Sequence, residues 1–132
     1  VVCSLNGTQT LTNKTLNAPK FTNLNTYKTS EYDTGDTWTD YKKIYKKVIT
    51  GTTKSSAGVQ DYSVGSTIST LINAYGCLQE SDGTQVFLGY VNVSSGAQFG
   101  LYTSADRKSI NLRVGTSSMF SRPFWITLEY TK

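Results

Sequence analysis

The sequence has no histidine, two cysteines, two prolines, one methionine and three arginines. Without imidazole, the Ser-His-Asp and Cys-His nucleophile systems, histidine metal ligation and histidine pH switches are excluded within the chain. Two cysteines cannot build a zinc cage by themselves. Mean hydropathy is −0.33, and no apolar run approaches the roughly 18 residues of a membrane span. A soluble, non-enzymatic protein with no metal or cofactor is expected, with no insertion into a membrane. Helix formers are also scarce, with 5 Ala and 3 Glu in 132 residues, so long helices are not expected. Only 17% of residues are charged, for a formal net charge of +4. The chain opens Val1-Val2-Cys3 without a basic segment leading into an apolar stretch, and it reads as a piece of something longer with no signal peptide.

What is abundant points to β structure. Thr, Val, Ile, Tyr, Phe and Trp total 51, against 37 for Ala, Leu, Glu, Gln, Lys, Arg and Met, and 11 Gly punctuate the chain at intervals suited to turns. The length allows one modest core. Thr and Ser total 35, which makes a surface polar but weakly ionic, suited to neutral, hydroxyl-rich ligands. Strand propensity alone accounts for most of the Thr.

Residues 1–30 read as a neck. Leu5, Leu11 and Leu16 stand isolated among Asn, Thr and Gln, too few to close a core of their own, so they are expected to bury against another chain or the following domain. Residues 31–132 read as a β head. A turn cluster, Tyr32-Asp33-Thr34-Gly35-Asp36, leads to Trp38 and a strand through Ile44–Ile49. Residues 51–65 hold Ser, Thr and Gly and are assigned no element. Ile68, Leu71, Ile72 and Tyr75, spaced by three and four, suggest one or two helical turns or an irregular edge. Val86–Val93, Gln98–Thr103, Ser109–Val114 and Phe124–Thr131 then form a four-strand meander. Alternation turns Ile110, Leu112, Val114, Phe124, Ile126, Leu128 and Tyr130 inward, and Asn111, Arg113, Trp125 and Glu129 outward. Together these features define an all-β head, an antiparallel β-sandwich or β-barrel, behind a short extended neck.

Three stretches carry a resemblance. Leu11-Thr12-Asn13-Lys14-Thr15-Leu16-Asn17-Ala18-Pro19 is similar to the short repeat of bacteriophage tail-fibre shafts and necks. Thr34-Gly35-Asp36-Thr37-Trp38-Thr39-Asp40 with Lys43-Ile44-Tyr45-Lys46-Lys47, and the closing Ile126-Thr127-Leu128-Glu129-Tyr130-Thr131-Lys132, resemble the opening and the end of small β heads on phage tail proteins. The family places an Asp-Gly turn after the Trp, whereas here Tyr41 follows Asp40. The resemblance implies a homotrimeric tip of a tail fibre or baseplate receptor-binding protein, joined to upstream tail or baseplate proteins. It would be assembled in the host cytoplasm, reside in the virion and adhere to bacterial cell-surface polysaccharide. It transfers no binding site.

The residues themselves offer candidates. Saccharide binding needs an aromatic face for pyranose C–H groups, and Asp, Asn or Arg for hydroxyl pairs, on loops held by a sheet. Tyr102 beside Asp106 and Arg107, Phe120 beside Arg122, and Asp82 in the turn Ser81-Asp82-Gly83 meet that description. Each also has a plain structural reading as an exposed strand residue, a core or subunit contact, or a turn former. Trp125 is assigned to packing between subunits. Lys42-Lys43 and Lys46-Lys47, interleaved with Tyr41 and Tyr45, superficially resemble a nucleic-acid face. Strand geometry splits each pair between two faces, so solvated strand edges are the better reading and no nucleic-acid partner is expected. Asp33, Asp36 and Asp40 lack the ligand pattern of a helix-loop-helix calcium motif. Cys3 and Cys77 read as two packed thiols, with a stem-to-head disulfide as the other option. A structural trimerisation tip and, further off, a polysaccharide depolymerase using paired carboxyls are the rival functions.

Overall fold

The computed structural model describes residues 27–94 and 96–132. Most of the neck, its resemblance to tail-fibre repeats, Cys3 and Ser95 lie outside the described residues. Nine strands follow in order: β1 (Tyr32–Thr37), β2 (Lys43–Thr52), β3 (Gly58–Ser63), β4 (Thr70–Gln79), β5 (Gln85–Phe87), β6 (Tyr90–Asn92), β7 (Ala97–Thr103), β8 (Ser109–Val114) and β9 (Pro123–Thr131). Among the described residues a single 3-10 turn covers Ser117–Met119. The described residues contain no α-helix and are all-β, in line with the composition.

The strands form two antiparallel sheets, one ordered β1-β2-β9-β4-β5 and the other β3-β8-β7-β6. β9 lies at the centre of the first sheet, and its inward face alternates clearly. Phe124, Ile126, Leu128 and Tyr130 are fully buried while Trp125 stays exposed. From the other sheet, Phe99, Ile110, Leu112 and Val114 join the same core, with Ile68, Leu78 and Met119. Tyr62 of β3 meets Phe124 of β9 edge-on, with ring centroids 4.8 Å apart. One core thus serves both sheets.

Four readings are corrected. The segment containing Leu71, Ile72 and Tyr75 is neither helical nor an edge, because β4 pairs with β9 on one side and β5 on the other. An irregularity between Leu71 and Asn73 shifts the register there. Leu71 and Ala74 therefore both pack on the core with Leu78, and a spacing of three within a strand imitates helical periodicity. The stretch 51–65, assigned no element from sequence, contains β3, which pairs along its length with β8. The four-strand meander is not formed. Val86–Val93 breaks at Leu88-Gly89 into β5 and β6, which belong to different sheets, and β9 leaves β8 to insert between β2 and β4. Finally, Lys46 is no solvated edge residue, since β2 lies between β1 and β9 and the lysine is buried against Glu129.

The turn after Trp38 is tight although it lacks the glycine of the resembling heads. The Tyr41 N–H donates to the Trp38 carbonyl (2.9 Å) and the Trp38 N–H to the Lys42 carbonyl (2.8 Å). Tyr41 itself takes φ of 62°, the left-handed conformation that glycine adopts freely. At Gly76 the demand is steric. A Cβ there would collide with the Trp125 carbonyl, so glycine permits the close approach of β4 to β9.

Candidate functional site

The two short edge strands position a cleft on the surface. β5 ends at Phe87, the chain turns through Leu88 and Gly89, and β6 begins at Tyr90 on the neighbouring sheet. Gly89 has φ of 92°. Its N–H donates to the Phe99 carbonyl (2.8 Å), and that of Leu88 donates to the Gly76 carbonyl (2.9 Å), so the crossing is pinned to both sheets. Val86 enters the core, which turns Phe87 outward, 68% exposed. A cleft of about 330 Å³ results, lined by Glu80, Thr84, Gln85, Val86, Phe87, Leu88 and Tyr90.

One end of the cleft is built on the β4–β5 turn. The Glu80 N–H donates to the Thr84 carbonyl (2.8 Å) and the Gly83 N–H to the Glu80 carbonyl (3.2 Å). Asp82 accepts the Thr84 N–H at 2.9 Å. Hydrogen bonds from the Thr84 backbone and hydroxyl hold the Asp82 carboxyl below the usual range. The Glu80 carboxylate is oriented from the β8–β9 connection. Ser118 Oγ donates to its Oε1 at 2.7 Å, and the Ser81 N–H donates to the Ser118 carbonyl at 3.2 Å.

That connection is fixed in turn by Thr53, which is buried. Its Oγ1 donates to the Met119 carbonyl (2.6 Å) and accepts the Arg122 N–H (2.9 Å). Its own N–H donates to the Arg122 carbonyl (2.9 Å). The local chemistry is an aromatic wall from Phe87 and Tyr90 beside an oriented carboxylate, an amide and a hydroxyl. Such a surface can stack a ring and hydrogen-bond its substituents.

The six residues singled out from sequence fall into two groups at opposite ends of the sheets. Asp82, Phe120 and Arg122 lie at the cleft end, in the β4–β5 turn and the β8–β9 connection. Asp82 sits within the Glu80–Thr84 turn, while Phe120 packs against the core and Arg122 is engaged through its backbone with Thr53. Tyr102, Asp106 and Arg107 lie at or beside the β7–β8 turn, separated from the first group by the six-residue length of β8, roughly 20 Å. Tyr102 is half exposed. Asp106 accepts from Ser104 Oγ (2.6 Å) and from the Lys108 N–H (3.0 Å), bonds that lower its carboxyl. Arg107 has φ of 58°, and its carbonyl accepts the Ile68 N–H.

Sequence reasoning missed Glu80, Phe87 and Tyr90. The available signal was Gly89, read as lying inside one strand when it marks the crossing between two. Among the described residues there is no cluster of three or more metal-binding side chains. Nor does any described helix have the length and apolarity to cross a membrane.

A second surface lies on the outward face of the five-stranded sheet. Cross-strand pairing aligns Thr50, Trp125, Cys77 and Phe87 in one row. Trp125 is 44% exposed there. Nearer β1, the Tyr27 ring lies 4.7 Å from Lys46 Nζ, and the Val48 N–H donates to the Lys28 carbonyl (2.7 Å), so the residues preceding β1 also lie against this sheet.

Comparisons of the chain with protein-family models, curated proteins and solved structures return no match.

Proposed function

We propose that the chain is a phage tail receptor-binding module, a β-sandwich head that recognises bacterial surface saccharide without covalent chemistry and works as a homotrimer. The observation that carries this reading is the cleft, where Phe87 and Tyr90 stand beside the Ser118-oriented Glu80 carboxylate. An aromatic wall for C–H faces and a fixed acceptor for hydroxyls are the two requirements of non-covalent sugar recognition. The resemblance of 34–47 and 126–132 to phage tail heads supplies the biological setting. A core shared by the two sheets supports closure as a sandwich. Three shallow sites acting together supply avidity that one lacks.

The test is adsorption of the labelled chain to a panel of intact bacteria. Phe87→Ala and Tyr90→Ala are each expected to abolish it. Loss on Tyr102→Ala, with both cleft variants adsorbing normally, would move the site to the opposite end of the sheets. Release of reducing ends from purified envelope polysaccharide would turn the reading toward a depolymerase. A second reading, a structural trimerisation tip, is favoured by the exposed Trp125 row. It predicts a trimer that adsorbs to no bacterium.

A further inference from the structure

Taking the saccharide reading of the cleft as its basis, we infer that the ligand is a neutral pyranose and that anionic wall polymers are rejected at this site. Among the seven described residues lining the cleft, Glu80 alone carries a formal charge at neutral pH, and no described Lys or Arg contributes. A second carboxylate, Asp82, belongs to the same turn. The chain as a whole is positive at +4, so its binding cleft has the opposite sign to its net charge.

The sign and the geometry agree on the kind of ligand. Ser118 occupies Oε1 of Glu80, which leaves Oε2 free to accept from a sugar hydroxyl. Carboxylate–hydroxyl bonds of this charge-assisted kind are strong and directional. Tyr90 Oη lies 3.4 Å from Asn92 Nδ2, in the geometry of an acceptor, so its own proton remains free for a ligand oxygen. Gln85 and Thr84 add an amide and a hydroxyl, and Phe87 offers its face to axial C–H groups. A phosphate or uronate seated here would face Glu80 with no cation among the described lining residues to offset the repulsion. The excess positive charge outside the cleft acts at longer range, assisting approach to an anionic envelope in a salt-dependent way. Recognition in the cleft is then largely independent of salt.

The experiment is saturation-transfer NMR and direct titration of the full chain with two probe sets. One contains neutral hexose and N-acetylhexosamine oligosaccharides; the other contains poly(glycerol phosphate) and polyglucuronate. Transfer to a neutral oligosaccharide is expected, with an affinity that changes less than about twofold between low and physiological salt. Phe87→Ala should abolish that signal. Glu80→Gln keeps an oxygen for Ser118 but loses the charged acceptor, and is expected to weaken neutral binding about tenfold. Cleft binding of an anionic polymer, strengthened by Glu80→Gln, would overturn the inference while leaving the adhesion reading intact. Failure of every probe in both sets to bind would overturn the saccharide reading and this inference together.

Discussion

Lys46 and Glu129 meet across β2 and β9 with Nζ and Oε1 3.1 Å apart, on the outward face of the sheet, yet only 8% of the lysine side chain is exposed. Tyr27 and Tyr75 supply the cover, with ring centroids 4.7 and 5.8 Å from Nζ. Burial opposes the ammonium charge, but hydrogen bonds to Tyr75 and Glu129 outweigh it and hold Lys46 above the ordinary lysine range. Removing one partner of such a pair strands the other. Lys46→Ala is expected to destabilise the fold by about 2–4 kcal/mol, and the double change Lys46→Met with Glu129→Leu to recover most of it. Urea denaturation of the three proteins measures both.

Tyr41 holds a left-handed conformation while 89% exposed, so its ring contributes almost no packing to offset the strain. A β-carbon costs roughly 1–2 kcal/mol in this region, and glycine returns about 0.4–1 kcal/mol of that through the freer unfolded chain. Tyr41→Gly should therefore stabilise the protein by up to about 1.5 kcal/mol, seen as a higher denaturation midpoint. An unchanged or lower midpoint would show that the turn does not bear this strain.

Glu31 accepts from the Tyr130 hydroxyl and pairs with Lys132, joining the chain before β1 to the end of β9. Burial acts to raise its carboxyl, but the bonds from Lys132, Tyr130 and Ser66 prevail and hold it below the ordinary glutamate value. A depressed carboxyl contributes stability above its unfolded pKa, about 4.3, and that contribution fades as pH falls through the lower folded value. Thermal melts from pH 6 to pH 3 should show a steep acid loss that Glu31→Gln makes shallower. Asp33, Asp82 and Asp106 are lowered too, so some slope remains. Identical profiles for both proteins would remove Glu31 from the acid response.

The strands whose inward faces alternate without interruption were the legible part of the fold. Ile110, Leu112 and Val114, and the run from Phe124 to Tyr130, are buried as alternation requires. β4 was not legible because its irregularity places Leu71 and Ala74 on one face three residues apart. The position of β9 was hidden for a different reason. Sequence adjacency favours a hairpin with β8, whereas the connection through Thr116 and Met119 carries the chain to the other sheet, and nothing local to β9 names its neighbours. The cleft was legible only through Asp82, in the turn that carries Glu80 and Thr84. Phe87 and Tyr90 come together because two sheets meet at Gly89, a tertiary fact that a strand-like run of residues conceals.

Thr53 links the buried frame to the cleft, since it anchors Met119 and Arg122 on the connection that presents Ser118 to Glu80. Thr53→Val preserves shape but leaves the Met119 carbonyl and the Arg122 N–H without that partner. The expected cost is about 2 kcal/mol of stability, accompanied by weaker ligand binding as Glu80 loses its fixed orientation. Denaturation and glycan titration should therefore fall together. Lost stability with unaltered binding would separate Thr53 from the site.

Assembly and recognition can be tested apart at Trp125, which does not line the cleft although Phe87 of the same row does. If three copies associate around Trp125 and leave Phe87 open, light scattering of the native chain gives three times its 14.5 kDa mass. Trp125→Arg then places a charge in the contact and should yield monomers of near-native stability, because the side chain is already 44% exposed. The cleft in each monomer stays intact, so affinity for a short oligosaccharide is expected to be unchanged. Adsorption to whole bacteria should nevertheless fall by about 100-fold or more, the scale on which linked sites exceed single ones. A native mass of one chain would remove both the trimer and the avidity it confers. Equal adsorption by monomeric Trp125→Arg and the native trimer would show that one head suffices.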